Sequence, residues 1–218
     1  MLAVTITASI AFYATGSVEL ALSVGVIDTL IKLVVFYGFD ITWNKIMNRE
    51  FDPKVIWITG LSGAGKTTLG LAVKEQLKEK GHTSMLLDGD LIRGLFPTGF
   101  DAASRENHAL RVAQLAAIIQ SQGVTAIVTL ITPYQVSRDR ARELCGNYME
   151  VYLSTSLAVC EERDVKGLYK KVRAGEIKNF TGIDDPYETP IAAEITLDTS
   201  LLDLKQCAIA VLEKFKGK

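Results

Sequence analysis

Nine consecutive residues, Gly60-Leu61-Ser62-Gly63-Ala64-Gly65-Lys66-Thr67-Thr68, have the types and the spacing needed to hold a polyphosphate. Glycines let successive backbone N–H groups curl around a phosphate, and a helix beginning at the end of such a loop adds the positive end of its dipole. Lys66 can then bridge the β- and γ-phosphates of a nucleoside triphosphate, and Thr67 can offer its hydroxyl to Mg²⁺. A glycine-rich turn without ligand is the alternative, and the flanks argue against it. Val55–Thr59 (VIWIT) predicts a short buried strand, and an amphipathic helix is predicted from the loop to about Lys80, the strand–GxxxxGK[ST]–helix context this chemistry requires.

A second constellation lies just downstream. Thr83–Leu87 reads as a buried strand running into Asp88-Gly89-Asp90, two carboxylates at a strand's C-terminal end, where open α/β sheets bind their substrates. Carboxylates there can coordinate a metal and take the proton of an acceptor hydroxyl. Asp88 is placed nearer the metal, with Thr67, and Asp90 nearer the acceptor, although the Asp-Gly-Asp spacing alone does not separate the two roles. Arg93 follows within reach of an anionic acceptor. Arg105, His108 and Arg111 recur at three-residue steps on the next helix, read as one face.

Strands and helices must alternate to hold these groups, and they do. Helices are predicted over Ala103–Gln122, Val136–Cys145, Ser156–Arg163, Lys166–Ala174 and Leu202–Phe215. Strands are predicted over Val124–Ile131, Met149–Leu153 and Ile195–Leu197. The class is therefore α/β, a parallel sheet with helices on both faces. The 218 residues suit one such domain plus a small appendage, and 24 Lys+Arg against 25 Asp+Glu exclude a global attraction to nucleic acid. Cys145, Cys160 and Cys207 lack CxxC spacing and read as core thiols in a reducing compartment.

The appendage is the N-terminus. Met1–Thr15 is an uncharged apolar run, Gly16-Ser17 a turn signal, and Leu20–Phe39 a second apolar stretch long enough for a hydrocarbon core of ~30 Å. Residues 1–50 are read as a membrane helical hairpin with a connector over Gly38–Asp52, and residues 51–218 as the catalytic domain. A buried hairpin packed on the soluble domain is the competing reading. Asp28 and Lys32, four apart in the second stretch, can neutralise each other; an ion path is the other reading of that pair. Trp43, Lys45 and Arg49 form the aromatic and basic edge of a cytoplasmic face, which places the catalytic domain in the cytoplasm against the inner membrane of a bacterium. The segment TGSVELALSVGVIDTLIKLVVFYGFDITWNKI also resembles a family of short, uncharacterised bacterial two-helix membrane domains.

GLSGAGKTT, LLDGDLIR, GFDAASR, the strand ending in ITPY, KGLYKKVRAGEIKNFTGIDDPYE and ITLDT resemble, in order, the adenylylsulfate kinase (APS kinase) family. The resemblance implies a P-loop kinase fold and transfer of the ATP γ-phosphoryl group to the 3′-hydroxyl of adenosine 5′-phosphosulfate (APS), giving PAPS and ADP with Mg²⁺ as cofactor. It implies an adenine sandwich of Phe100 and Phe180, with Arg93 and Arg105 on the phosphosulfate and ribose region. It also implies acceptor contacts from His108 and Lys178, and a lid formed by the basic Lys166–Arg173 helix and the Lys178–Glu188 loop. A homodimer is the expected assembly.

Three departures stand out. His108 replaces the family's usual asparagine, Thr132 replaces the serine before the proline that is sometimes described as a phosphorylated intermediate, and the turns at Arg163-Asp164-Val165-Lys166 and Ala192-Ala193-Glu194 differ. Thr132 is therefore a candidate catalytic residue, although direct transfer needs no such step. A P-loop kinase for another small acceptor, or a nucleotide-sensing module on a membrane hairpin, are the alternatives.

Overall fold

The computed structural model describes residues 10, 12–14, 16–47 and 53–216. The chain falls into two compact units, Met1–Glu50 and Phe51–Lys218.

In the first unit, α1 (Val18–Met47) is one continuous helix of 30 residues, running through Gly38 into the segment read as a connector. Its stretch Val18–Asp40, 23 residues, is long and apolar enough to cross a membrane. Several polar side chains of α1 bond within the helix. Lys32 Nζ donates to Asp28 Oδ2 at 2.6 Å, and the hydroxyls of Ser23 and Thr29 donate to Glu19 O and Gly25 O. Of the first run of the expected hairpin only residues 10 and 12–14 are described, in helical conformation, and the rest lies outside the described residues.

The second unit is a five-stranded sheet in the order β2-β3-β1-β4-β5, parallel throughout. The strands are β1 (Val55–Gly60), β2 (Ser84–Asp88), β3 (Thr125–Thr129), β4 (Tyr148–Leu153) and β5 (Ile195–Leu197). Between them run α2 (Lys66–Glu79), α3 (Gly89–Leu95), α4 (Ala102–Ser121), α5 (Gln135–Leu144), α6 (Leu157–Arg163) and α7 (Leu168–Arg173), with α8 (Leu204–Lys216) closing the fold.

The inner strands β1, β3 and β4 read as continuous apolar runs because both sheet faces are covered there, whereas β2, expected as a buried strand, lies at the sheet edge and leaves Met85 48% exposed. Ile56, Ile58, Ile127, Met149, Val151 and Leu153 pack on α2 and α8, whereas their alternates Val55, Trp57, Ala126, Val128 and Tyr148 pack on α4 and α5. Each fully buried aliphatic side chain contributes roughly 1.5–3 kcal/mol, so this two-sided core holds every strand end in register.

Helix starts differ from the sequence expectation where a side chain caps the backbone. Ser156 is the cap of α6 rather than its first residue, with its hydroxyl accepting from Val159 N–H. α8 begins at Leu204 because Asp203 and Gln206 form a reciprocal capping box. α7 begins at Leu168 rather than Lys166: the Asp164 carboxylate accepts from the N–H groups of Tyr169 and Lys170, and Gly167 takes φ +64°. Lys166 thus sits on a loop ahead of the helix.

Candidate active site

The loop between β1 and α2 follows directly from its glycines. Gly63 has φ +78°, and a Cβ there would stand 2.9 Å from the carbonyl oxygen of Cys160, so only glycine lets the loop pass that close. Its outer side is pinned from several directions. Tyr169 Oη donates to Ser62 O at 2.9 Å, Thr199 Oγ1 donates to Ala64 O at 3.0 Å, and Arg163 donates to Thr199 Oγ1 at 2.8 Å. None of these three supports stands out by spacing, since each belongs to a distant segment.

Lys66 heads α2, and its ammonium folds back to donate to Leu61 O at 2.6 Å. Burial and the nearby Lys166 ammonium push its pKa down to about 8, against the opposing pull of Cys160, Asp90 and Asp88. Thr67 donates its hydroxyl to Asp88 Oδ2 at 2.7 Å, and Thr129 donates to the same oxygen at 2.9 Å. The other Asp88 oxygen accepts from Asp90 N–H and Leu91 N–H, capping α3. Burial alone would raise the Asp88 carboxyl, but these four donors outweigh it and hold the group below the ordinary carboxylate value.

The two carboxylates of the Asp-Gly-Asp turn are therefore unlike. Asp88 is buried and committed to four donors, whereas the Asp90 side chain is 68% exposed and pairs with Lys166 Nζ across the loop mouth. The strand ends at Asp88 and the helix turns immediately, which sends consecutive polar groups in different directions.

On the acceptor side, Arg93 lies over the Phe100 ring at 4.7 Å and donates to Thr98 O and Gly99 O. Phe100 is exposed, and Phe180 stands edge-on to Tyr169 at 5.0 Å. Arg105 joins the two segments bearing these rings: it donates to Phe100 O at 2.7 Å, to Asn179 O and to Thr181 Oγ1, and it pairs with Asp185 at 2.9 Å. Its guanidinium thus braces the segment bearing Phe100 against the segment bearing Phe180. Lys178 is exposed at the entrance to this loop.

Two expectations are corrected in geometry. Arg105, His108 and Arg111 do not share a face, because each three-residue step lags the helix by about 60°. His108 is 1% exposed within the core, and neither imidazole nitrogen has a hydrogen-bond partner, while Arg111 faces solvent. Burial and the neighbouring Arg93 hold the His108 pKa below its ordinary value. Thr132 is 2% exposed in the left-handed region (φ +42°), with its hydroxyl turned inward to accept from Trp57 Nε1 at 3.0 Å. Thr132→Ala is expected to keep most of its turnover while losing roughly 1–3 kcal/mol of stability as the Trp57 N–H is left unpaired. A phosphothreonine at Thr132 formed and consumed at the rate of turnover would defeat this expectation.

A parallel sheet covered on both faces, carrying a phosphate loop with its lysine and threonine at the end of β1 and two acidic residues at the end of β2, defines an ATP-dependent phosphotransferase of the P-loop kinase class. Comparison with known proteins narrows the class. Residues 52–198 match the family model of adenylylsulphate kinase, and the chain belongs to that family. It is 46% identical over 163 residues to the adenylyl-sulfate kinase of Rippkaea orientalis, covering 74% of this chain and 90% of that protein. It is 47% identical over 186 residues to that of Shewanella pealeana, covering 80% and 91%. The Mycobacterium tuberculosis APS kinase solved in complex with AMPPNP and APS superposes with a TM-score of 0.74 at 36% identity, covering 76% of this chain and 99% of that one. Residues 1–44 match a family described as predicted membrane protein (DUF2061).

Proposed function

We infer that this chain transfers the γ-phosphoryl group of ATP to the 3′-hydroxyl of APS, yielding PAPS and ADP, from a site anchored to a membrane. The observation that carries this reading is the close grouping of Lys66, Thr67, Asp88, Asp90 and Arg93 in a chain of the adenylylsulphate kinase family. Lys66 would leave Leu61 O for the phosphates, and the loop N–H groups would cradle the β-phosphate. Phe100 and Phe180 would hold the flat acceptor base, Arg93 with Lys178 its anionic end, and His108 the floor of that site. Asp90, open to solvent, would accept the hydroxyl proton.

Mg²⁺ fits the donors present, because it binds through one or two protein oxygens and otherwise through phosphates and water. Thr67 would be its direct ligand. Thr67 donates its hydroxyl hydrogen to Asp88, which leaves the oxygen lone pairs available to a metal, and Asp88 would act on the metal through that hydroxyl or through water. When bound, the ion would supply neutralising charge at the β- and γ-oxygens.

The reading is tested by following ADP release from the full-length chain with ATP and APS against other nucleotide and hydroxyl acceptors. Preference for APS and formation of PAPS are expected. The buried, unpartnered His108 is the feature that would favour a different acceptor, and turnover of another nucleotide with APS ignored would overturn the assignment.

For the first unit we propose that α1 spans a bacterial inner membrane with the kinase on the cytoplasmic side, and that two copies pair as a homodimer. The chain is then expected to sediment with lipid vesicles, and deletion of residues 1–50 to release a soluble kinase with turnover within about threefold of the full chain. Precipitation of the shortened protein beside a detergent-free soluble full chain would reverse the membrane reading.

A further inference from the structure

We propose that Arg138 is a positioning residue for the acceptor, its guanidinium locking the loop that carries Phe180 to the turn that follows β3. The proposal rests on the kinase reading above, which gives Arg138 no part. Its side chain, on α5, is 0% exposed, and that of Glu150, its partner on β4, is 2% exposed. A core arginine that served only to neutralise Glu150 would aim its N–H groups at that carboxylate. This one does not. Arg138 Nε lies 3.1 Å from Glu150 Oε1, yet neither atom makes a hydrogen bond. The aligned donors go elsewhere: one terminal nitrogen donates to Thr132 O at 2.7 Å, and the other donates to Glu188 O and to Gln135 Oε1, each at 2.7 Å.

Both carbonyls belong to segments that must be held in place. Thr132 has φ +42°, a conformation that is costly for a β-branched residue and persists only where the surroundings impose it. Trp57 holds its hydroxyl at 3.0 Å and Arg138 holds its carbonyl, so the turn is fixed from two sides. Glu188 closes the acceptor loop, and further bonds lace it to the same turn. Glu188 N–H donates to Pro133 O at 2.9 Å, Gln135 N–H donates to the Glu188 carboxylate, and Tyr134 Oη donates to Asp185 at 2.9 Å.

The loop is therefore gripped at two points by two arginines of different standing. Arg105 takes its head at Asn179 O and is itself placed to meet the acceptor, whereas Arg138 takes its tail from inside the core and is sealed from any ligand. Phe180 lies on the stretch between them. Glu150 supplies the charge that lets a guanidinium sit in the core, and its other oxygen takes Arg142 at 3.3 Å. Arg138 thus acts on the acceptor through the backbone of the loop, by fixing where the Phe180 ring stands before the acceptor arrives. The phosphate loop shares none of these bonds, so ATP binding is independent of the lock.

The test uses the full-length chain in detergent with ATP and APS. Arg138→Lys keeps a cation beside Glu150 but cannot span two carbonyls, and it is expected to raise the APS KM about tenfold, with kcat and the ATP Kd within about threefold of wild type. The double variant Arg138→Met, Glu150→Gln removes both buried charges with little change of shape and leaves Arg142 paired with Glu194, so it stays folded even where lysine alone does not. It should show the same rise in KM, because the bonds to Thr132 O and Glu188 O are still missing. An APS KM unchanged in both variants would overturn the proposal. So would an ATP Kd raised as much as the APS KM, the mark of general loosening, or failure of both variants to fold, which would make Arg138 a stability element. In each of these cases the wild-type chain still makes PAPS. A wild-type chain that binds ATP and phosphorylates no APS would instead overturn the kinase reading, and the proposal with it.

Discussion

Replacing Lys66 with alanine is expected to lower PAPS formation by about 10³-fold or more while leaving the fold intact. Lys66 is not a member of either apolar cluster, and its ammonium donates to Leu61 O. The direction of its pKa shift fixes the stability outcome. Its value falls from 10.5 to about 8 in the folded chain, so the folded state binds this proton less tightly than the unfolded state. That disadvantage is full below pH 8 and fades as the pH climbs toward 10.5. Removing the ammonium should therefore not lower the melting temperature at pH 7. The same shift predicts that ATP binding weakens above pH 8 and takes up a proton there, measurable by calorimetry in buffers of different ionisation enthalpy. Turnover of Lys66→Ala within a few-fold of wild type, or ATP binding at pH 9 without proton uptake, would remove this lysine from the phosphate site.

Asp90→Asn is expected to lower kcat by about 10²–10⁴-fold with ATP affinity changed only a few-fold. The amide keeps the shape of the side chain and loses only the capacity to take a proton and to pair with Lys166. Asp88→Asn should behave differently, because Asp88 accepts four hydrogen bonds, two of them from the hydroxyls of Thr67 and Thr129. Its amide would disturb the Thr67 hydroxyl and the start of α3, and would raise the Mg²⁺ requirement. An Asp90→Asn enzyme with normal turnover and altered Mg²⁺ demand would exchange the two roles.

These roles were only half visible in the amino-acid sequence. The phosphate loop is legible because its strand, glycines, lysine and helix are contiguous, so local spacing carries the whole device. The alternating run of strands and helices is legible for a similar reason: each buried strand is a short apolar stretch between turn signals. The division of labour between Asp88 and Asp90 is not, since it depends on a helix turning at Gly89 and on Thr129 arriving from a neighbouring strand. His108 misleads because three-residue spacing resembles a face over one step and leaves it over two. Thr132 looks like an accessible hydroxyl until Trp57, on a strand it does not adjoin in sequence, claims it. Lys166 and Asp90, or Arg105 and Asp185, meet only after the chain has returned across the sheet.

The order of strands in the sheet also sets when the phosphate loop can exist. Val55 pairs with Ala126 and Tyr148, and Ser84 pairs with Thr125, so neither of the first two strands has a partner in the other. A chain emerging from the ribosome can form no strand pair until β3 has been made, and β1 gains its second neighbour only with β4. Helix α1, whose hydrogen bonds are local, is complete long before. The segment suited to lipid is thus committed while the catalytic unit is still an unpaired chain, and contacts far apart in sequence then close slowly. Thr199 and Tyr169, which pin the loop, come later still. The loop that binds ATP is among the first parts synthesised and among the last to take its shape.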